Sequence, residues 1–201
     1  MADALARNDR YLHEFVERWN LCPFARRCRE TGKLDRRVLL AAERGAALAA
    51  AEAAVRAIEA RPRDAVEVAL LIFPALRVAP RDFEELCADL RGRTSGVDFH
   101  CVAFHPDHPE DLSDPNRAVA FIRRSPDPTI QLVRASLLEE VRAGRPGGSV
   151  FVDPSRVTRE ELMALAGLSV SERIARANFD TLGRPETAAE ARALLLEIKR
   201  R

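Results

Sequence analysis

One apolar stretch is the best indication of the fold class: Val66-Glu67-Val68-Ala69-Leu70-Leu71-Ile72-Phe73 (VEVALLIF). It is short, almost continuously apolar and closed by Pro74, a combination that is typical of a buried β-strand. The other predicted elements lie before and after this strand in the sequence.

Helical and extended patterns alternate on either side of it. An Ala-rich helix is predicted over Ala46–Ala60 and a second helix over Arg81–Leu90. Val97–Phe104 (VDFHCVAF) is the second clear strand, whereas Arg37–Leu40 fits either a weak strand or the start of the following helix. The first residues of the chain predict a helix that ends near Asn20, since Pro23 follows shortly.

The second half begins with a Pro- and Asp-rich loop from His105 to about Asn116. Asp127-Pro128 resembles a helix start, with Asp as N-cap and Pro at the first position. The apolar face of that helix would comprise Ile130, Val133, Leu137, Leu138 and Val141. A short strand at Ser149–Val152 follows, and capping boxes predict a helical C-terminal part at Thr158/Glu161, Ser169/Glu172 and Thr187/Glu190.

These elements predict one layered α/β (or α+β) domain over residues 1–201, with a small sheet of about three to four strands flanked by helices. Two strand orders remain open, a split βαβ sandwich and an open parallel sheet. Neither an oligomeric state nor a cofactor follows from the sequence.

Composition excludes some classes of partner. The 32 Lys and Arg residues balance 31 Asp and Glu residues, and aromatic residues are only 5%, which disfavours nucleic acid. No membrane-length apolar run and no signal peptide are visible, which predicts a cytoplasmic protein without a membrane partner. The four cysteines lack CxxC spacing and are expected to be free thiols.

Three places carry residues suited to chemistry. Cys22 lies before Pro23 just after the first helix, where a thiol can be a nucleophile, a metal ligand or a packing residue. His105 lies just past the end of a strand, where it is a candidate general base. With Asp107 and His108 it is also a candidate metal ligand, although the spacing matches no helical zinc motif.

The third place is Arg123-Arg124-Ser125-Pro126-Asp127-Pro128-Thr129, at the predicted helix start. A helix N-terminus favours anions, and fixed positive charge is added by Arg117, Arg123, Arg124 and Arg134. The alternative is an ordinary cap with surface arginines.

Taken together, these motifs resemble the domain of unknown function 1415 family of uncharacterised bacterial proteins. The resemblance is carried by Leu-Cys-Pro-Phe-Ala at 21–25, Phe-His-Pro at 104–106, the Arg-Ser-Pro run from Arg124 to Arg134, and Ile174–Leu182. It implies no established activity. It does select positions, namely Cys22, Pro23, Phe24, His105, Pro106, Arg124, Ser125, Pro126, Pro128, Arg134 and Asn178.

The chain departs from the family pattern at several positions. Asp127 replaces a common aromatic residue, Gln131 a common histidine and Arg123 an asparagine, while His108 stands where the family usually has an aromatic residue. If the family site uses the missing histidine, this protein does something different or is not catalytic.

Three hypotheses follow. The first is a small-molecule enzyme with His105 and Cys22 as catalytic residues and Arg124, Ser125, Thr129, Arg134 and Asn178 around a small anionic substrate. The second is a metal-binding protein that uses Cys22 and His105, with Asp107 or His108. The third is a non-catalytic module that binds an anion or a partner. The enzyme hypothesis predicts that Cys22, His105 and the start of the predicted helix converge in one pocket.

Overall fold

The computed structural model describes residues 1–22, 24–142 and 170–200. Its helices are α1 (Ala2–Arg10), a π-helix (Tyr11–Glu17), α2 (Ala25–Glu30), α3 (Arg44–Glu59), α4 (Pro80–Arg93), α5 (Pro115–Ile122), α6 (Ala135–Arg142), α7 (Val170–Leu182) and α8 (Pro185–Arg200). Its strands are β1 (Leu34–Val38), β2 (Val68–Ile72), β3 (Phe99–Phe104) and β4 (Thr129–Arg134). The predicted α+β class with one small sheet and a helical C-terminus is confirmed.

The four strands form a mixed sheet in the order β1-β2-β4-β3. β1 runs parallel to β2, and β4 runs antiparallel to both β2 and β3. β1, β2 and β3 therefore point the same way, and β4 is inserted between two of them in the opposite direction. As a result, the carboxyl ends of β2 and β3 meet the amino end of β4 at one edge of the sheet.

The side chains of β2 divide between two cores, which explains why VEVALLIF is apolar on both faces. Ala69 and Leu71 pack with α3 and α4 on one face. Val68, Leu70 and Ile72 pack on the other face against α1, the π-helix and the C-terminal helices. The sheet is thus covered by helices on both sides.

Most segment predictions from the first half of the chain are confirmed within a few residues. The first helical segment ends where Asn20 takes a left-handed conformation with φ of 52°. The stretch around Arg37 is the strand β1, displaced by three residues from its predicted start. The helix α5 was not predicted. The final helix begins at Pro185, two residues before the expected cap at Thr187.

The predicted helix start at Asp127-Pro128 is wrong. Thr129–Arg134 is the strand β4, which is hydrogen-bonded to neighbours on both sides, and the helix α6 begins only at Ala135. The helical spacing in the sequence combined apolar residues of β4 with those of α6, because α6 follows β4 directly in the chain. The calls that involve Pro23, the loop and strand within residues 144–152, and the caps at Thr158 and Ser169 lie outside the described residues.

Candidate functional site

A mostly apolar cavity of about 300 Å³ lies between the sheet and the N-terminal helices. We call it the interlayer cavity. Its floor is the face of the sheet that carries Val68 and Leu70, and its walls come from the π-helix, α2, α5 and α7. Polar groups on its surface belong to Asn8, Tyr11, Cys22, Cys28, Arg123, Ser125, Thr129, Gln131 and Asn178. A concave apolar site with a few polar groups is the usual form of a small-molecule site.

Four of the residues selected from the sequence line this cavity: Cys22, Ser125, Thr129 and Asn178. Both hydroxyl groups donate to the carbonyl oxygen of Asp127, from Ser125 Oγ at 2.6 Å and from Thr129 Oγ1 at 2.9 Å. Asn178 Nδ2 donates to the carbonyl oxygen of Leu21 at 3.1 Å. These bonds shape the wall of the cavity by tying its loops to β4 and α7.

The half-buried thiol of Cys22 belongs to this wall. Burial raises the pKa of Cys22, although the backbone amides of Phe24 and Ala25 oppose that rise. Cys28 Sγ, also on the cavity wall, donates to the carboxylate of Glu67 at 3.4 Å, and burial raises the pKa of Cys28 to about 12. Both groups are therefore thiols rather than thiolates near neutral pH.

Gln131 is one of the polar cavity residues that the motif reasoning did not select as a site. It lies half-buried on β4, one of the two inner strands of the sheet, and its amide has no hydrogen-bond partner among the described residues. The alternation Thr129, Ile130, Gln131, Leu132 places polar side chains on the cavity face and apolar ones in the opposite core. Read as a strand, that alternation would have identified Gln131.

A π-helix forms one wall of the cavity through Tyr11, Leu12 and Val16. Such segments are rare and occur often at functional sites. Tyr11 Oη donates to the carbonyl oxygen of Ile122 at 3.4 Å, and burial raises the pKa of this phenol. The sequence offered no signal for the change from α- to π-helical winding.

His105 does not line the interlayer cavity. It lines a second, more polar pocket of about 410 Å³, which we call the strand-end cleft. The cleft lies where β2 and β3 end and β4 begins, and its other lining residues are Arg7, Pro74, Leu76, Arg77, Val78, Pro106, Asp107, Pro126, Asp127, Pro128 and Lys199. The segment from Ser125 to Thr129 therefore separates the two pockets, and Cys22 and His105 fall in different ones.

Both ring nitrogens of His105 are bound to the backbone. Nδ1 accepts the N–H of Asp107 at 3.1 Å, so Nε2 carries the proton and donates to the carbonyl oxygen of Val78 at 3.1 Å. The ring is buried beside Phe83, and burial lowers the pKa of His105. This arrangement suits a neutral histidine that joins two loops, and it leaves no free lone pair for the predicted general base.

Of the other metal-ligand candidates, Asp107 is engaged elsewhere, whereas the buried Nε2 of His108 has no hydrogen-bond partner among the described residues. Asp107 forms an ion pair with Lys199 at 2.8 Å, which lowers the pKa of that carboxyl. His108 is buried with Nδ1 3.7 Å from Glu84, and burial lowers its pKa. Within the described ranges, no group of three or more His, Cys, Asp or Glu side chains is arranged to hold a metal ion.

The arginines chosen as an anion site are apart. Arg124 Nη1 donates to Glu110 at 2.8 Å, and its Nε donates to the carbonyl oxygen of Pro106. Arg134 is buried at the far end of β4, about 17 Å from Thr129 along the strand. There, Arg134 Nε donates to Val66 O at 2.8 Å and the guanidinium lies over the Phe99 ring. Arg124 and Arg134 therefore do not share one site, because they lie at opposite ends of β4.

No helix in residues 1–22, 24–142 and 170–200 is long and apolar enough to cross a membrane. Comparisons with curated proteins and with solved structures gave no significant match. A family model, described as protein of unknown function (DUF1415), matches residues 3–182. That match spans the sheet, the interlayer cavity and all of the strand-end cleft except Lys199, and the chain is a member of the DUF1415 family.

Proposed function

We propose that this protein binds a small, largely apolar molecule with one polar end in the interlayer cavity. The observation that carries the proposal is the unpartnered amide of Gln131 in a cavity whose other surface is mostly apolar. This half-buried amide makes no hydrogen bond to a described residue, and a ligand with a donor or acceptor group can supply one.

The neighbouring polar groups support the same conclusion. Ser125 and Thr129 use their hydroxyl protons within the wall and keep oxygen lone pairs, so they can still accept a hydrogen bond. Cys22 enters the proposal as a neutral lining group, because its pKa is raised. The helix start that was to hold an anionic substrate is a strand, so the proposal rests on the apolar lining and on Gln131 instead. A negatively charged polar end would meet Arg123, which also lines the cavity.

Indole is a suitable test ligand, since it is apolar apart from one N–H. We expect saturable indole-induced NMR shifts for backbone amides of Val68, Leu70 and Gln131. Gln131→Leu should weaken binding by about tenfold, the effect of losing one hydrogen bond to a buried polar group. Ala25→Phe, which fills the cavity from α2, should abolish it.

Ala53→Phe provides the matched control, because Ala53 is exposed on α3 across the sheet. Its indole affinity should equal that of the wild type. Unchanged binding by Ala25→Phe, or shifts that grow linearly with indole concentration, would contradict the proposal. Native mass spectrometry of the purified protein is the companion measurement, since a retained ligand would add a discrete mass that Ala25→Phe loses.

A further inference from the structure

The strand-end cleft is a site of different character from the interlayer cavity. It lies at the carboxyl ends of the parallel strands β2 and β3, the edge where ligands bind in open α/β sheets. Its lining is polar, and its charged side chains come from α1, α8, the loops after β2 and β3, and the segment between α5 and β4.

The charges of the cleft do not cancel. Three cations, Arg7, Arg77 and Lys199, face two carboxylates, Asp107 and Asp127. Arg7 binds Asp127 and Lys199 binds Asp107, each within 3.1 Å. Those two pairs leave the charge of Arg77 uncompensated.

Arg77 is held in place without being neutralised. Its Nη1 donates to the carbonyl oxygens of Pro74 at 2.8 Å and Leu76 at 3.3 Å. Those two bonds fix the guanidinium above the loop after β2. Nε and Nη2 have no partner among the residues that the structure describes. They form the side of the guanidinium that commonly binds an oxyanion through two parallel hydrogen bonds.

We infer that the strand-end cleft binds a small molecule through a carboxylate, with Arg77 as the residue that holds it. Nε–H and Nη2–H of Arg77 are two parallel donors in one plane, and they carry one uncompensated positive charge. This geometry and charge match those of a carboxylate. A phosphate dianion would bring two negative charges to a cleft in which only the charge of Arg77 is uncompensated, so one of them would remain unbalanced. The inference does not depend on the proposed use of the interlayer cavity, because the two pockets have separate linings.

The test uses acetate and inorganic phosphate as probes, each titrated at pH 7.5 and constant ionic strength. NMR follows the Nε–H signal of Arg77 and the backbone amide signals of His105 and Asp107. We expect saturable shifts with acetate and binding at least about tenfold tighter than with phosphate. Arg77→Gln should weaken acetate binding by about tenfold or more. It should leave the fold intact, because Arg77 is exposed and its bonds are to nearby carbonyls.

Arg81→Gln is the control for loss of one positive charge, since Arg81 is exposed outside the cleft and pairs with Glu85. It should bind acetate as the wild type does. Equal acetate affinity in Arg77→Gln and the wild type would overturn the inference, as would an unshifted Arg77 Nε–H. Tighter binding of phosphate than of acetate would overturn the assignment to carboxylates. Ala25→Phe, which blocks only the interlayer cavity, should not alter acetate binding.

Discussion

Arg7 on α1 holds the carboxylate of Asp127, 120 positions later in the chain, through three hydrogen bonds of 3.0–3.1 Å. The carbonyl oxygen of the same Asp127 accepts the hydroxyl groups of Ser125 and Thr129. Asp127 is therefore fixed from both sides of the wall that separates the two pockets. This ion pair joins the segment that leads into β4 to the first helix.

Loss of this ion pair should destabilise the fold. Because both side chains are largely buried, Arg7→Gln should lower the free energy of unfolding by about 2 kcal/mol, as uncompensated Asp127 would remain. Urea unfolding of Arg7→Gln, Asp127→Asn and the double variant measures the coupling energy of the pair. A coupling below about 0.5 kcal/mol would show that Arg7 and Asp127 act independently.

The sequence predicted the parts of the fold that local pattern determines. VEVALLIF is recognisable as a strand because its apolar residues pack into cores on both faces of the sheet. The helices before and after it are recognisable by their apolar faces. The order of the strands depends on long-range pairing, which local pattern does not specify. Thr129–Arg134 was misassigned because Asp127-Pro128 imitates a helix cap, whereas pairing with β2 and β3 decides its conformation.

The candidate site was predicted only in part, because its assembly also depends on long-range pairing that local pattern does not specify. Cys22, Ser125, Thr129 and Asn178 do line one cavity, although they come from distant parts of the chain. His105 was separated from them because its position beyond β3 places its ring in the strand-end cleft. Arg77 could not have been selected, since its importance comes from the pairing of the other charges around it.

His105 should contribute to stability, in contrast to the general-base role expected from the sequence. His105→Ala removes two buried hydrogen bonds and should lower the free energy of unfolding by about 2–3 kcal/mol. His105→Gln, whose amide can still donate to Val78, should lose less. Thermal or urea unfolding checks both values, and a loss under about 0.5 kcal/mol in His105→Ala would exclude the structural role.

The same histidine predicts a pH dependence. Burial lowers the pKa of His105 below its ordinary 6.5, so the unfolded chain takes up a proton at a higher pH than the folded protein does. Stability should therefore be complete above about pH 6.5 and fall as the pH drops from 6.5 towards 5. His105→Gln should reduce this slope without removing it, because burial also lowers the pKa of His108. An unchanged slope would contradict the prediction.

Arg134 should be required for folding stability rather than for ligand binding. Its Nε bonds Val66 O, its Nη1 lies 3.3 Å from Glu59, and its plane lies over Phe99. Arg134→Lys keeps the charge but not the fork or the stacking, and should cost about 2 kcal/mol in the free energy of unfolding. Arg44→Lys, at an exposed ion pair with Asp89, is the control and should change stability by under about 0.5 kcal/mol.

Glu67 should make the protein sensitive to acid in a lower pH range. Burial would raise its pKa, but hydrogen bonds from Lys33, Arg27 and Cys28 outweigh that effect and lower the pKa below 4.5. The stabilisation is present above about pH 4.5 and is lost as the pH falls below it. Glu67→Gln should lower stability at pH 7 by about 2 kcal/mol and flatten the decline below pH 4.5. Equal declines in the variant and the wild type would show that other carboxylates dominate.

The four cysteines should react slowly in the folded protein. The reactivity of Cys22 shows whether the interlayer cavity contains a neutral thiol or a nucleophile. Burial raises the pKa of each thiol, to about 12 for Cys28 and Cys87. Alkylation by iodoacetamide at pH 7.5, followed by peptide mass spectrometry, should proceed at less than about a tenth of the rate of glutathione, and urea should restore it. Fast alkylation of Cys22 alone would mean that the amides of Phe24 and Ala25 outweigh burial and stabilise a thiolate. The cavity would then hold a nucleophile rather than a neutral lining group.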